Sequence, residues 1–240
     1  MTRHVAACHV HSEWSYDASW TLPDLAAGFA KRGCDLILMT EHDRGWDQVR
    51  WERYQEACDA ASGSDILLVP GIEYSDPSNT IHVLVWGASD FLGEGLETSE
   101  LLRRVQASGG VAVFAHPERR AAWKSFDPDW CEGLLGVEIW NRKTDGWAAS
   151  SGGIRLWKSH PLHPFVGLDF HRSNQFFPLR MQIDAFKSEG VDDIYDALRQ
   201  RNLAPLFRGR DVSSRFESGR GLALPAAERF RRIARLLKPR

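Results

Sequence analysis

Val5-Ala6-Ala7-Cys8-His9-Val10-His11 is a short apolar run that ends in two histidines one residue apart, and the pattern recurs down the chain. Leu36 to Thr40 runs into Glu41-His42, Ile66 to Ile72 into Glu73, Val111 to Ala115 into His116, Leu135 to Val137 into Glu138, and Phe165 to Leu168 into Asp169-Phe170-His171. The runs are rich in Val, Ile and Leu and do not strictly alternate with polar residues, as expected of strands covered on both faces. Stretches with helical spacing separate them. Thr21 reads as an N-cap, Pro23 sits in the first turn, and Leu22, Leu25, Ala26, Phe29 and Ala30 form an apolar stripe that Gly33 ends. A second helix is expected from about Trp46 to Ser62 and a third from Thr98 or Ser99 to Gly109-Gly110. Strand then helix, repeated, predicts an α/β fold whose parallel strands close a barrel. The carboxyl ends of such strands open on one face, where side chains distant in sequence meet.

Thr80 to Trp86 follows Glu73 after a turn too short for a helix, so its pairing is open to being antiparallel. Residues 141–164 read as a loop with a short helix, and Asp192–Arg201 and Ala226–Leu237 read as helices. With 240 residues, 43% hydrophobic and 26% charged, the chain is expected to be one soluble domain over 1–240. No apolar stretch approaches the ~18 residues of a membrane span, and no signal-peptide core follows Arg3 and His4, so a cytoplasmic protein without membrane partners is expected. Cys8, Cys34, Cys58 and Cys131 are irregularly spaced, which indicates reduced thiols and neither a disulfide framework nor a zinc knuckle. Residues 201–240 hold 11 Lys and Arg against 3 Asp and Glu and are expected to form a basic helical extension packed on the domain, leaving the rest acidic.

His-x-His on an extended segment puts both imidazoles on one side, because strand side chains alternate. Asp169-x-His171 has the same spacing. Around this frame Asp17, His42, Glu73, His82 and His116 supply further ligand atoms, the positions of Asp17 and His82 resting on spacing alone. The nine candidates are too many for one four-coordinate ion and enough for two or three divalent cations, with a carboxylate such as Glu73 bridging a pair. Carboxylates mixed with imidazoles, and no thiolate, favour zinc, manganese or iron. Cations ~3.5–4 Å apart that acidify a bound water suit phosphate-ester hydrolysis. No Gly-x-Ser-x-Gly elbow with a triad, no Gly-x-Gly-x-x-Gly after the first strand and no Gly-x-x-x-x-Gly-Lys is present.

His9-Val10-His11, Thr40-Glu41-His42-Asp43, Gly71-Ile72-Glu73, His116-Pro117 and Asp169-Phe170-His171 resemble, in order, the motifs of the polymerase and histidinol phosphatase (PHP) family of metal-dependent phosphoesterases. The resemblance spans about Val5 to Ser173. It implies a distorted (β/α)7 barrel with a two- or three-metal centre. One metal would take His9, His11, Glu73 and Asp169, with Glu73 bridging to a second held by His82 and His116, and a third would lie among Asp17, His42 and His171. Ala7 stands where the family often has Asp, and Glu41 where Asp is usual.

The expected function is hydrolysis of a small phosphate ester or nucleotide by a hydroxide carried on the metals, with Glu73 and His171 as catalytic residues and His171 or a metal water protonating the leaving oxygen. Arg44, Arg119 and Arg172 each follow a motif directly and are candidates to grip phosphate, and Asn141, with Glu138, is expected to face the same cavity. Trp14, Tyr16, Trp20, Trp46, Trp123, Trp140 and Trp147 fall in or near the expected loops, to stack on a substrate or pack the loops. Exonuclease-like processing of short single-stranded nucleic acid is a less favoured reading. A metal-dependent amide or carbamate hydrolase and a non-catalytic metal-stabilised binding module are also compatible with these residues. The sequence leaves the oligomeric state open.

Overall fold

Short polar side chains place the helices where the sequence puts them. Thr21 accepts from the Asp24 amide to start the first helix, Asp47 accepts from Arg50 N to start the second, and Ser150 from Gly153 N to start the fourth. A computed structural model describes residues 1–185 and 190–217. In chain order these form β1 (Thr2–Val10), α1 (Leu22–Ala30), β2 (Leu36–Met39), β3 (Glu41–His42), α2 (Gln48–Ala61), β4 (Leu67–Val69), β5 (Gly71–Ser75) and β6 (His82–Trp86). There follow α3 (Thr98–Ala107), β7 (Val111–Phe114), β8 (Gly136–Asn141), α4 (Ser151–Ser159), β9 (His163–Gly167), β10 (Leu179–Ala185), α5 (Val191–Arg199), β11 (Leu203–Phe207), β12 (Arg210–Asp211) and α6 (Ser213–Glu217). Among the described residues no helix is long and apolar enough to cross a membrane.

The strands form two six-stranded sheets, in the orders β12-β11-β10-β1-β2-β4 and β3-β5-β6-β7-β8-β9. This corrects the expected closed (β/α)7 barrel. The chain crosses between sheets at single residues, Thr40 between β2 and β3 and Pro70 between β4 and β5, so the run Ile66 to Ile72 is two strands. Pro70 has no N–H to continue a ladder, and Thr40 N turns to Val10 O at 2.9 Å. Past β9 the sheets are stitched by three hydrogen bonds, Leu168 N to Cys8 O, Phe170 N to His9 O and His11 N to Phe170 O, instead of a ladder. Parallel pairing holds for β1–β2, β2–β4, β3–β5, β7–β8 and β8–β9, whereas β6 is antiparallel to both β5 and β7, and β10 to both β1 and β11.

The reversal of β6 matters for the site. It places His82, the first residue of β6, opposite Ser75 at the end of β5. The beginning of one strand therefore joins the carboxyl ends of the others. Beneath this face the core is aliphatic and aromatic, with Trp86 buried and its indole N–H donating to Met39 O at 2.8 Å. Cys8, Cys34 and Cys58 are buried free thiols, and Cys131 is half-buried and free.

Where the sequence suggested a helical extension from residue 201, Leu203–Phe207 instead pairs antiparallel with β10, its Leu203, Pro205 and Leu206 buried. Extended pairing follows from apolar residues on both sides of the chain. Only Ser213–Glu217 of the described tail is helical, and the helix expected over Ala226–Leu237 lies outside the described residues.

One glycine ties fold to site. A Cβ on Gly167, at the end of β9, would overlap Glu138 Oε1 and crowd the Cβ of His9. Gly167→Ala is expected to cost roughly 2 kcal/mol, the usual scale of overpacking. Gly63→Ala, at a position with nothing within 4 Å of the added carbon, should stay within about 0.5 kcal/mol of wild type. Denaturant midpoints of the two variants compare them, and equal stabilities would contradict the packing assigned to Gly167.

Candidate metal centre

The His-x-His pair does not meet by simple strand alternation. His9 lies in a bulge of β1 between Cys8 and Val10, with φ of 60°, and the ring centroids of His9 and His11 are 5.2 Å apart. Two more strand-end residues share this backbone region, His116 at φ 26° and Asp169 at φ 52°. Left-handed backbone at a branched-off side chain costs on the order of 1–3 kcal/mol and persists only where neighbours over-determine it. Here those neighbours converge on one carboxylate.

Glu73, in β5 and buried, faces five imidazoles. Its Oε1 lies 2.7 Å from His82 Nδ1 and 2.7 Å from His116 Nε2. Its Oε2 lies 3.4 Å from His9 Nε2, 3.4 Å from His11 Nε2 and 3.2 Å from His42 Nδ1. Asp169 Oδ1 approaches His9, His11 and His171 at 3.9, 3.7 and 3.4 Å. Asp17, on the solvent side, reaches His42 Nε2 at 3.3 Å and His171 Nε2 at 3.1 Å. All nine sequence candidates are thus brought together. His82 also meets a residue outside the nine, its Nε2 lying 2.7 Å from Asn79 Oδ1.

Two further buried carboxylates orient the rings. Glu138 takes His9 Nδ1 at 2.9 Å and also accepts from His116 N at 2.6 Å and Asn141 Nδ2 at 2.9 Å. Glu41 accepts from Ser12 N, Ser12 Oγ and Ser15 Oγ, and Ser15 Oγ in turn meets His11 Nδ1 at 3.3 Å and accepts from His42 N at 3.0 Å. One ring nitrogen of each histidine in the pair is therefore held from behind, which aims the other inward. Those inward atoms, His9 Nε2 and His11 Nε2, are buried without a hydrogen bond, as are Glu73 Oε2 and His116 Nδ1. Buried polar atoms are rarely left so. Three sets of ligand atoms lie within 4.8 Å of one another: His9, Glu73 and His116; His9, His11 and Asp169; His11, His42 and His171. A nitrogen and oxygen set with orphaned, mutually facing lone pairs fits divalent cations.

Neighbouring charges decide which of these groups favour a proton. Burial disfavours charge on His9, yet Glu138, Glu73 and Asp169 overcome it and hold its pKa well above the ordinary value. Burial is likewise outweighed at His42, whose hydrogen bonds to Asp17 and Glu73 lift its pKa from 6.5 to about 10. His11 goes the other way, through burial reinforced by the neighbouring His42 and His171. Glu73 and Asp169 stay ionised against their burial, both drawn down by His9 and Asp169 also by Lys143.

The expected substrate-facing residues separate. Arg44 and Arg119 line a cavity of about 460 Å³ over the cluster, together with Tyr16, Asp43, Asn79 and Lys143. Arg44 lies 5.9 Å over the Tyr16 ring, which stacks on His42, and Arg119 donates to Asn79 O and Oδ1. Arg172 lines a neighbouring cleft. Asn141 is fully buried, donating to Glu138 and accepting from Thr144 N, so it supports the site from within. Of the aromatic residues, Trp14 and Trp46 pack around Tyr54 and Trp20 packs against Phe170, while Trp140 is buried; Tyr16 is 70% exposed at the cavity mouth. Sequence reading passed over Lys143, whose Nζ lies 3.0 Å from Asp169 Oδ1 and 3.2 Å from His171 Nε2. The one signal for it was its place two residues after Asn141 in a strand-end loop.

Glu138→Gln keeps the shape but offers His9 a weaker anchor, so divalent-cation affinity should fall about 10- to 100-fold with the fold retained. Competition with a chromophoric chelator measures this, and unchanged affinity would contradict the orienting role. In chelator-stripped protein, the His42 contribution to stability is full below its unfolded value of 6.5 and is lost as pH rises towards about 10. Stability should therefore decline across that window, and His42→Asn should flatten the decline; parallel profiles would contradict it.

No protein-family model matches the sequence, and no curated protein matches it. Solved structures do share its fold. One is a two-domain protein from Bacteroides vulgatus that contains a predicted PHP-like metal-dependent phosphoesterase, with TM-score 0.67 and 19% identity over 86% of this chain and 65% of that one. Another is a lesion-specific endonuclease, endonuclease Q, from Pyrococcus furiosus, with TM-score 0.58 and 15% identity over 83% of this chain and 56% of that one. A third is an amidohydrolase from Chromobacterium violaceum, with TM-score 0.52 and 14% identity over 93% of this chain and 99% of that one. The chain thus spans less than two thirds of the length of the first two. The likeness is one of fold, which this chain shares with solved proteins described as a predicted PHP-like phosphoesterase, an endonuclease and an amidohydrolase.

Proposed function

We propose that this protein is a metal-dependent phosphoesterase acting on a small phosphorylated substrate. The observation that carries the reading is Glu73 facing five imidazoles at the floor of a cavity whose walls bear Arg44, Arg119 and Lys143. The three facing sets of ligand atoms would hold two or three divalent cations, zinc, manganese or iron by donor type, with Glu73 shared between them. Such cations, when bound, supply an acidified water and neutralise phosphoryl charge.

The chain's own groups do the rest. Arg44 and Arg119 present planar guanidinium groups suited to phosphoryl oxygens, a preference that carbonyl substrates do not require. Asn79 fixes Arg119 through its backbone and side-chain oxygens and touches His82, so the phosphate grip and the floor of the site move together. His171, whose Nε2 lies 3.1 Å from Asp17 on the solvent side, would act as the proton donor to the leaving oxygen when only the two inner ligand sets are filled. Burial around Glu73 keeps bulk water from its carboxylate and strengthens the charge interactions made there.

Protein stripped by a strong chelator should lose turnover of an aryl phosphate panel and regain it with manganese or zinc. Persistent metal-free activity, or faster turnover of matched carboxylate esters, would contradict the reading. Glu73→Gln should remove more than one metal equivalent by elemental analysis; loss of one or none would contradict sharing.

A further inference from the structure

Asn79 lines the main cavity from the turn between β5 and β6, and its side-chain oxygen meets two residues at once. Arg119 Nη2 donates to Asn79 Oδ1 at 3.1 Å, and His82 Nε2 lies 2.7 Å from the same atom. The backbone of the turn is held as well. Arg119 Nη1 and Arg120 Nη1 donate to Asn79 O at 2.8 and 2.9 Å, and Asn79 N donates to Asp76 O at 2.8 Å. Asp76 Oδ1 accepts from the amides of Thr80 and Ile81. Asn79 has φ of 53°, a left-handed conformation that Asn adopts more readily than most residues.

These contacts settle where the His82 proton sits. A guanidinium donates and never accepts, so the Asn79 atom against Arg119 is the amide oxygen. That oxygen only accepts, so the proton between it and His82 belongs to Nε2. Ser75 Oγ is the other polar group near Nε2, and at 3.4 Å it is too distant to orient the ring alone. His82 is buried, which disfavours a second ring proton, and Glu73 is one carboxylate among five imidazoles and cannot balance a charge on each. With its single proton on Nε2, His82 turns the lone pair of Nδ1 to Glu73 Oε1, 2.7 Å away. Two acceptor atoms that close repel one another, and a cation ligated by both removes the repulsion.

We infer that Asn79 is a positioning residue of the metal centre, one that fixes the His82 proton on Nε2 and so commits Nδ1, with Glu73 Oε1, to a cation. The inference rests on the metal-centre reading and adds to it the ring atom of His82 that serves and the residue that selects that atom. His9 is handled in the opposite sense. Glu138 takes its Nδ1 from within the core and leaves Nε2 to face inward, whereas Asn79 takes Nε2 of His82 from the cavity rim and leaves Nδ1.

The test uses the full chain with isotope-labelled histidine, stripped by a chelator and reconstituted with zinc. Nitrogen NMR should show the His82 proton on Nε2, the His82 signals being those missing from His82→Gln. Asn79→Gly suits the backbone and removes the amide, and it should weaken the binding of one zinc equivalent about tenfold or more in competition with a chromophoric chelator. Asn79→Asp keeps an acceptor in the same place and should stay within about threefold of wild type, a rescue that a merely structural role for the turn would not give. A proton on Nδ1 of His82, or wild-type zinc affinities in Asn79→Gly, would overturn the inference. The wild-type spectrum decides alone should Asn79→Gly fail to fold. Wild-type protein that takes up no zinc would sink the metal-centre reading and the inference with it. The expected zinc and NMR results without turnover of any phosphate ester would support the inference and contradict the phosphoesterase reading.

Discussion

A single buried carboxylate organises this molecule. Glu73 is 1% exposed and has imidazole nitrogens against both of its oxygens. Ionised groups out of contact with water are costly unless fully partnered, so every strand that contributes a partner must arrive in register. The pairing of β3 with β5 sets His42 beside Glu73, the reversal of β6 brings His82 across from the end of β5, and the stitching of β9 to β1 carries Asp169 to His9. A slip of one residue in any of these would turn a ligand outward.

That requirement explains the local irregularities. His9, His116 and Asp169 have left-handed backbone at the very positions where a plain strand would point the side chain elsewhere or leave the sheet. Glu138 compensates at two of them, taking the His9 ring and the His116 amide together, and Gly167 leaves the room in which it does so. Glu41 performs the corresponding service for His11 through Ser15. Orientation from behind, orphaned atoms in front and strained backbone describe a site suited to a cation, and binding of one, as proposed, would be linked to folding.

Much of this was readable from the chain. Apolar runs ending in His, Glu or Asp gave the strand ends, because covered strands need apolar residues throughout and only their termini can carry ligands. Thr21 and the stripe after it gave α1 almost to the residue. Three features were hidden, for identifiable reasons. Pro70 divides a run that hydropathy alone reads as one strand, and the closed barrel gives way to two sheets at that point and at Thr40. The bulge at His9 depends on pairing with β2, which is set by residues far along the chain. Lys143, and the tie of Arg119 to Asn79, arise from loop packing that has no period in sequence.

The central claim is that cations gather on both oxygens of Glu73. Anomalous scattering from crystals grown with manganese or zinc locates them directly. At least two peaks, each at ordinary coordination distance of about 2.0–2.2 Å from a Glu73 oxygen and from neighbouring imidazoles, are predicted. A single peak remote from Glu73, or metal only at surface acidic residues, would contradict it.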